Sequence, residues 1–326
     1  MKTIALTIIM FFAGYSCFSQ NIQLDLDKAV NLHFDGKYKK SIRFCKKVIK
    51  AEPENETAIK LLAQNVNLIN NPNGGIEDYT VTINYLKSKT RDALYLKGIS
   101  KLKTDKIPEA LKDFTDAIKI DKTKPEVFYY RAISKQILND NNGAIKDCNR
   151  AIELNINYAE AFNYRGEIYF SIKKYDESFE DFTKAIFIDK SFKEAYNNRA
   201  QVFFVNGKIK EAILDYDKAI LIDNTFSKAY FNRSIAKIKI NEFDEAIIDL
   251  NRVTFLESNN FNAFNSRGIT KLMINDYSGA IEDFSSAIDR NPYDEKGYLN
   301  RGNLLKQLGK NRLAEKDFIK ASSISE

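Results

Sequence analysis

The residues best able to do chemistry in this chain recur at a fixed step. Arg131, Arg165, Arg199, Arg233, Arg267 and Arg301 lie thirty-four residues apart, with Lys97 one step before them. Sixteen residues after each stands an acid: Asp113, Asp147, Asp181, Asp215, Asp249, Asp283 and Asp317. A row of guanidinium groups could bind anions. A guanidinium facing a carboxylate instead makes two parallel hydrogen bonds, a clamp between structural elements. A companion Asp at every step would neutralise an anion-binding row, and either charge buried alone would be costly. The paired reading is favoured: a ladder of arginines and aspartates that fixes register.

Little else offers reactive chemistry. The single His33 has no second histidine to share a metal, and neither a nucleophile–base–acid set nor a glycine-rich phosphate loop is present. The expectation is a non-enzyme with no cofactor and no metal. The formal charge of +6 is mild for 326 residues, and Lys and Arg are interspersed with Asp and Glu, so no nucleic-acid partner is expected.

The elements that position the ladder follow from the same period. "AFNYRGEIYFSIKKYDESFEDFTKAIFID" and "AYNNRAQVFFVNGKIKEAILDYDKAILID" align without a gap, as do four further segments. Extending the register gives repeats starting near residues 22, 56, 91, 125, 159, 193, 227, 261 and 295. Each reads as two helices joined by a tight turn: Phe162, Gly166 and Tyr169 share one face, Ser178, Phe182 and Ala185 another. Arg takes the seventh place on the first helix, Asp the twenty-third on the second. Small residues such as Ala212 and Ala219 hold the twentieth and twenty-seventh places, where backbones must approach. Turns such as "NGK" at 206–208 carry breakers, and "NNPNGG" at 70–75 loosens the second repeat.

With an aromatic, a small residue, an aromatic and two alanines at these spacings, the chain resembles the tetratricopeptide repeat family over residues 20–326. It departs in carrying Phe or Tyr for the family's Trp, and Arg for its Leu at the seventh place. The resemblance implies an all-α, right-handed superhelical solenoid of about nine two-helix repeats. It also implies a concave groove lined by first helices, holding a peptide or protein partner. The groove places of the middle repeats fall on Tyr129, Ile133, Asn163, Phe170, Asn197, Gln201 and Phe204. They continue through Phe231, Ile235, Ile238, Asn265, Ile269 and Leu272. Phe170, Phe204, Ile238 and Leu272 suit packing between helices equally well. The family's Lys and Asn clamp for a terminal carboxylate is absent, since Tyr129, Ile133, Asn163 and Glu167 stand there.

Glu126, Glu160 and Glu194 give way to Lys228 and Lys296 at the second place, a charge gradient along the groove. Thr123, Asn157 and Ser191, three residues before the glutamates, predict capping boxes as the simpler account. Cys45 and Cys148 share the twenty-fourth place three repeats apart, too far for a disulfide, so two buried free thiols are expected. Glu315 and Ser322 stand where earlier repeats carry Ile, for example Ile281 and Ile288, so the ninth repeat reads as a C-terminal cap and the protein as a monomer.

Residues 1–19, "MKTIALTIIMFFAGYSCFS", have the layout of a secretory signal peptide: Lys2, an apolar run, then small residues. Export to the periplasm, the cell envelope or the exterior is expected, with no membrane span in the mature chain. Cys17 leaves lipid anchoring open. The functional expectation is an exported, non-catalytic interaction scaffold; the alternative is an accessory subunit or lipid-anchored component of an envelope assembly or enzyme complex.

Overall fold

The computed structural model describes residues 21–52, 55–69 and 76–325; the signal-peptide reading and the "NNPNGG" turn lie outside them. Those residues form helices α1 to α17 and no strand. The chain divides into two compact units, Met1–Thr123 and Lys124–Glu326.

The first unit contains α1 (21–34), α2 (Tyr38–Ala51), α3 (Glu56–Ile69), α4 (Ile76–Lys103) and α5 (Ile107–Ile120). Ala29 of α1, Cys45 and Val48 of α2, and Ala58 and Leu62 of α3 close one core. His33 Nδ1 lies 2.8 Å from Asn65 Oδ1, and Asn65 donates in turn to Ser41 Oγ at 2.7 Å. A repeat boundary at 90/91 does not appear as a break, because α4 runs through it for 28 residues. Residues 87–92, "KSKTRD", contain no Gly, Pro or Asn, so nothing there stops a helix. Arg91 instead bonds Asp121 past the end of α5, while Lys97 and Lys101 reach Asp113 at 3.7 and 2.7 Å.

The second unit is six helix pairs in succession: α6 (Pro125–Ile137) with α7 (Asn141–Leu154), α8 (Ala159–Ser171) with α9 (Tyr175–Ile188), and α10 (Lys193–Val205) with α11 (Ile209–Ile222). They continue as α12 (Ser227–Lys239) with α13 (Phe243–Leu256), α14 (Phe261–Met273) with α15 (Tyr277–Arg290), and α16 (Glu295–Gln307) with α17 (Asn311–Ser325). Each pair turns on one left-handed residue at the same step: Asn139, Lys173, Gly207, Asn241, Asn275 and Gly309. Gly and Asn adopt that region readily, and Lys173 is the costly member.

Packing follows the small-residue places. Ala144, Ala212, Ala246 and Ala280 are fully buried, as are Ala151, Ala185 and Ala219. At Gly166 a Cβ would stand 2.7 Å from the Phe182 ring, so glycine there lets the ring seat between α8 and α9 without shifting. Phe182 and Phe284, 1% and 0% exposed, each contribute about 1.5–3 kcal/mol of burial. Ser322 is exposed where Ile186 and Ile288 of earlier pairs are buried, and Glu315 is exposed where Ile213 and Ile281 are half-buried.

The capping boxes do not form. Lys124, Tyr158 and Phe192 are the N-caps of α6, α8 and α10, without a side-chain cap. The residue two positions before each expected cap engages it instead: Asp121 Oδ1 accepts from Thr123 N and Oγ1, Asn155 Oδ1 from Asn157 N, and Asp189 Oδ1 from Ser191 N and Oγ. A local Asx turn thus outcompetes the reciprocal cap.

Candidate functional site

The ladder arginines are the first feature built by the helix pairs. Arg165, on α8, donates Nε and Nη2 to the two carboxylate oxygens of Asp181 on α9, at 2.8 and 2.6 Å. The same fork joins Arg131 to Asp147, Arg199 to Asp215, Arg233 to Asp249, Arg267 to Asp283 and Arg301 to Asp317. The partner always belongs to the same pair. A third nitrogen reaches back to the preceding pair: Arg165 Nη1 to Asn149 at 2.6 Å, Arg233 Nη1 to Asp217 at 2.5 Å, and Arg301 Nη1 to Ser285 at 2.8 Å. The guanidinium also lies over the aromatic three residues before it, 5.5 Å from Phe162 and 5.4 Å from Tyr230. Lys135, Lys237 and Lys271 add a second cation to Asp147, Asp249 and Asp283 at 2.7 to 2.9 Å.

Burial opposes the charge on Arg165 and Arg233, but the carboxylates bonded to them outweigh it and raise both above the ordinary guanidinium range. With both partners committed, these arginines are structural and hold no free anion site.

A second ladder, of amides, runs along the first helices. Asn198 Nδ2 donates to Asn163 Oδ1 at 3.1 Å, Asn232 Nδ2 to Asn197 Oδ1 at 2.9 Å, and Asn300 Nδ2 to Asn265 Oδ1 at 2.8 Å. Each joins the fifth place of one repeat to the sixth place of the next. One step earlier the same geometry brings Tyr129 and Tyr164 edge to face, centroids 5.7 Å apart. This corrects the groove reading of two amides. Asn163 and Asn197 are 6% and 0% exposed; each Oδ1 accepts from the next first helix and each Nδ2 donates to Glu167 or Asn198 on its own helix, so no partner reaches them.

The other groove candidates are half-buried: Tyr129, Ile133, Phe170, Gln201, Phe204, Phe231, Ile235, Ile238, Asn265, Ile269 and Leu272. Several also pack the unit. Phe204 covers Ala200 and Tyr216, Phe231 lies against Leu250 and Val253, and Ile269 with Leu272 lies against Phe284 and Leu304.

Those around Phe170 line a concavity with Glu167, Phe182, Asn198, Gln201 and Lys228, from α8, α9, α10 and α12. Glu167 Oε1 accepts from Asn163 and Asn198, both at 2.8 Å, which fixes the carboxylate at its rim. Gln201 Nε2 leans on Asn198 Oδ1 at 3.4 Å. The site therefore offers an anion, a cation, amides and an aromatic edge within one hollow. Asn198 was missing from the sequence reading. Its signal was present as the double Asn of "AYNNR", with Asn232 and Asn300 at the same place one and three repeats further on. Among the described residues no cluster of His, Cys, Asp or Glu is placed to hold a metal ion, and no helix is long and apolar enough to cross a membrane.

Comparison with known proteins bears on this arrangement. Tetratricopeptide repeat profiles match residues 159–192, 194–226 and 295–326. No curated protein matches the chain. A chain of the APC/C hetero-tetramer Cut9–Hcn1 superposes with a TM-score of 0.61 at 18% identity, over 86% of this chain and 55% of that one. PilF of Pseudomonas aeruginosa gives 0.58 at 15% identity, over 65% and 96%. PilW, a widely conserved type IV pilus biogenesis factor, gives 0.56 at 22% identity, over 61% and 92%. At these identities the likeness is one of fold, and this chain spans little more than half of the Cut9–Hcn1 chain that it matches.

Proposed function

This chain is a tetratricopeptide repeat protein, and from that premise we propose that it is a non-catalytic scaffold whose first-helix face holds a peptide or protein partner. The observation that carries the reading is the hollow across α8, α10 and α12. Glu167, Gln201 and Lys228 there present acceptors and donors beside Phe170, as an extended peptide with exposed backbone groups requires. Pull-down with the full chain from envelope extract, read by mass spectrometry, is expected to return a defined partner. Phe170→Ala and Lys228→Glu should then weaken that complex at least tenfold while far-UV circular dichroism stays at wild type. A partner indifferent to both changes overturns the groove reading.

Export is the second part of the proposal, and it rests on the charged, apolar and small-residue layout of residues 1–19. N-terminal sequencing of the protein from envelope fractions should read from Gln20. A chain recovered from cytoplasm and beginning at Met1 would overturn it.

A further inference from the structure

Acids and bases mix along most of the chain, but not in α2. Residues 21–52 carry eight Lys and Arg against four Asp and Glu, a net +4 of the chain's formal +6. α2 itself, "YKKSIRFCKKVIKA", contains no acid, and its core face is Ser41, Cys45, Val48 and Ile49. At about 100° per residue, Lys39, Lys40, Arg43, Lys46, Lys47 and Lys50 all fall on the opposite side. All but the half-buried Lys46 are exposed. Later second helices hold the ladder aspartate at the twenty-third place. Here that place is Phe44, with the amines of Lys28 and Lys47 over its ring at 5.9 and 5.2 Å. Lys47 reaches Asp25 at 3.9 Å, a surface pair that neutralises little. At the corner ahead of α2, Phe34 is 81% exposed.

We propose that the outer face of α2 rests on a bilayer surface of anionic phospholipid, with the Phe34 ring entering the headgroup layer. Charge complementarity calls for a phosphate-bearing surface, and two features select lipid over nucleic acid. Five of the six outward cations are lysines, point charges that suit a fluid array of headgroups, whereas reading a nucleic acid draws on the arginine fork. An apolar ring that stands in water close to such cations gains a place at the boundary of headgroups and acyl chains. The helix also comes early in the chain, soon after the apolar run of residues 1–19 that is expected to meet a bilayer. Because α2 keeps its apolar side in the protein core, it lies on the membrane and does not enter it.

Cosedimentation of the full chain with vesicles decides the matter. Binding should be tighter to equimolar phosphatidylglycerol and phosphatidylcholine than to pure phosphatidylcholine, and the difference should fade as salt is raised. Lys39→Gln combined with Lys50→Gln should weaken binding to the mixed vesicles about thirtyfold, roughly fivefold for each cation removed. Both side chains are exposed, so far-UV circular dichroism should stay at wild type. Lys228→Gln, outside the patch, should bind as wild type does. All three chains keep residues 1–19, so a difference between them reports α2 and not the apolar run. Three results overturn the proposal: equal binding to the two kinds of vesicle, a double variant that binds as wild type does, or tighter retention on duplex DNA than on the mixed vesicles at the same salt.

Discussion

Arg199 and Asp215 meet through two hydrogen bonds of 2.7 and 2.8 Å, and the remaining arginine nitrogen reaches Thr183 of the preceding pair at 3.4 Å. One side chain therefore fixes both the angle within its own helix pair and the seat of that pair on the last.

Removing only the cation should be costly, because Asp215 is 6% exposed and would be left an unpaired buried charge. Arg199→Leu is expected to destabilise by about 3 kcal/mol, and Arg199→Leu with Asp215→Leu by much less. Asp181→Leu, whose partner is Arg165, should be nearly additive with Arg199→Leu. Urea denaturation of the four variants reads the coupling. Additivity with Asp215 would show that the fork contributes nothing as a pair.

Asn197→Ala tests the amide ladder. It removes the acceptor of Asn232 and should cost about 1–3 kcal/mol, the penalty for a donor left without its partner. A partner that binds the groove should lose affinity only in proportion to the loss of folded protein. Wild-type stability for this variant would mean that water replaces the amide freely.

Cys148 offers a titration. Burial pushes its thiol up to about 12 from an ordinary 9.0, against a small opposing pull from Arg165. A folded value above the unfolded one means that the thiol's contribution to stability is complete below pH 9 and fades as pH rises toward about 12. Alkaline melting should therefore be shallower in Cys148→Ala. Iodoacetamide at pH 8 should leave Cys148 unmodified in the native chain and label it in urea; equal rates in both states would contradict the burial.

Lys173 turns the α8–α9 corner at φ 63°, where its counterparts include Gly207, Gly309 and three asparagines. Lys173→Gly relieves a strain of about 1 kcal/mol, partly offset by the freer unfolded chain. The midpoint of thermal unfolding should rise by about 2 °C. A fall would indicate that the lysine stem contributes packing that outweighs its backbone cost.

Periodicity made the fold and the arginine ladder legible, because the seventh and twenty-third places repeat without a gap. It did not say which Asp each Arg would meet. Asp181 and Asp215 flank Arg199 at eighteen residues before and sixteen after, and only the tilt of the helices separates them. The amide ladder was hidden for another reason: the fifth place was read within each repeat, whereas Asn163 and Asn197 are satisfied by the sixth place of the next. The capping boxes failed because spacing alone cannot weigh Glu194 against Asp189, which is closer to Ser191 in the chain. At α4 the thirty-four-residue period was followed past a stretch with no residue able to end a helix.

That uninterrupted helix has a mechanical consequence. At 1.5 Å per residue, the 28 residues of α4 make a rod about 42 Å long, twice the length of the helices beside it. A chain of short helices absorbs strain at its corners, a few degrees at each. The rod has no corner to yield, so torque applied where it begins emerges where it ends, as rotation of the α5 seat.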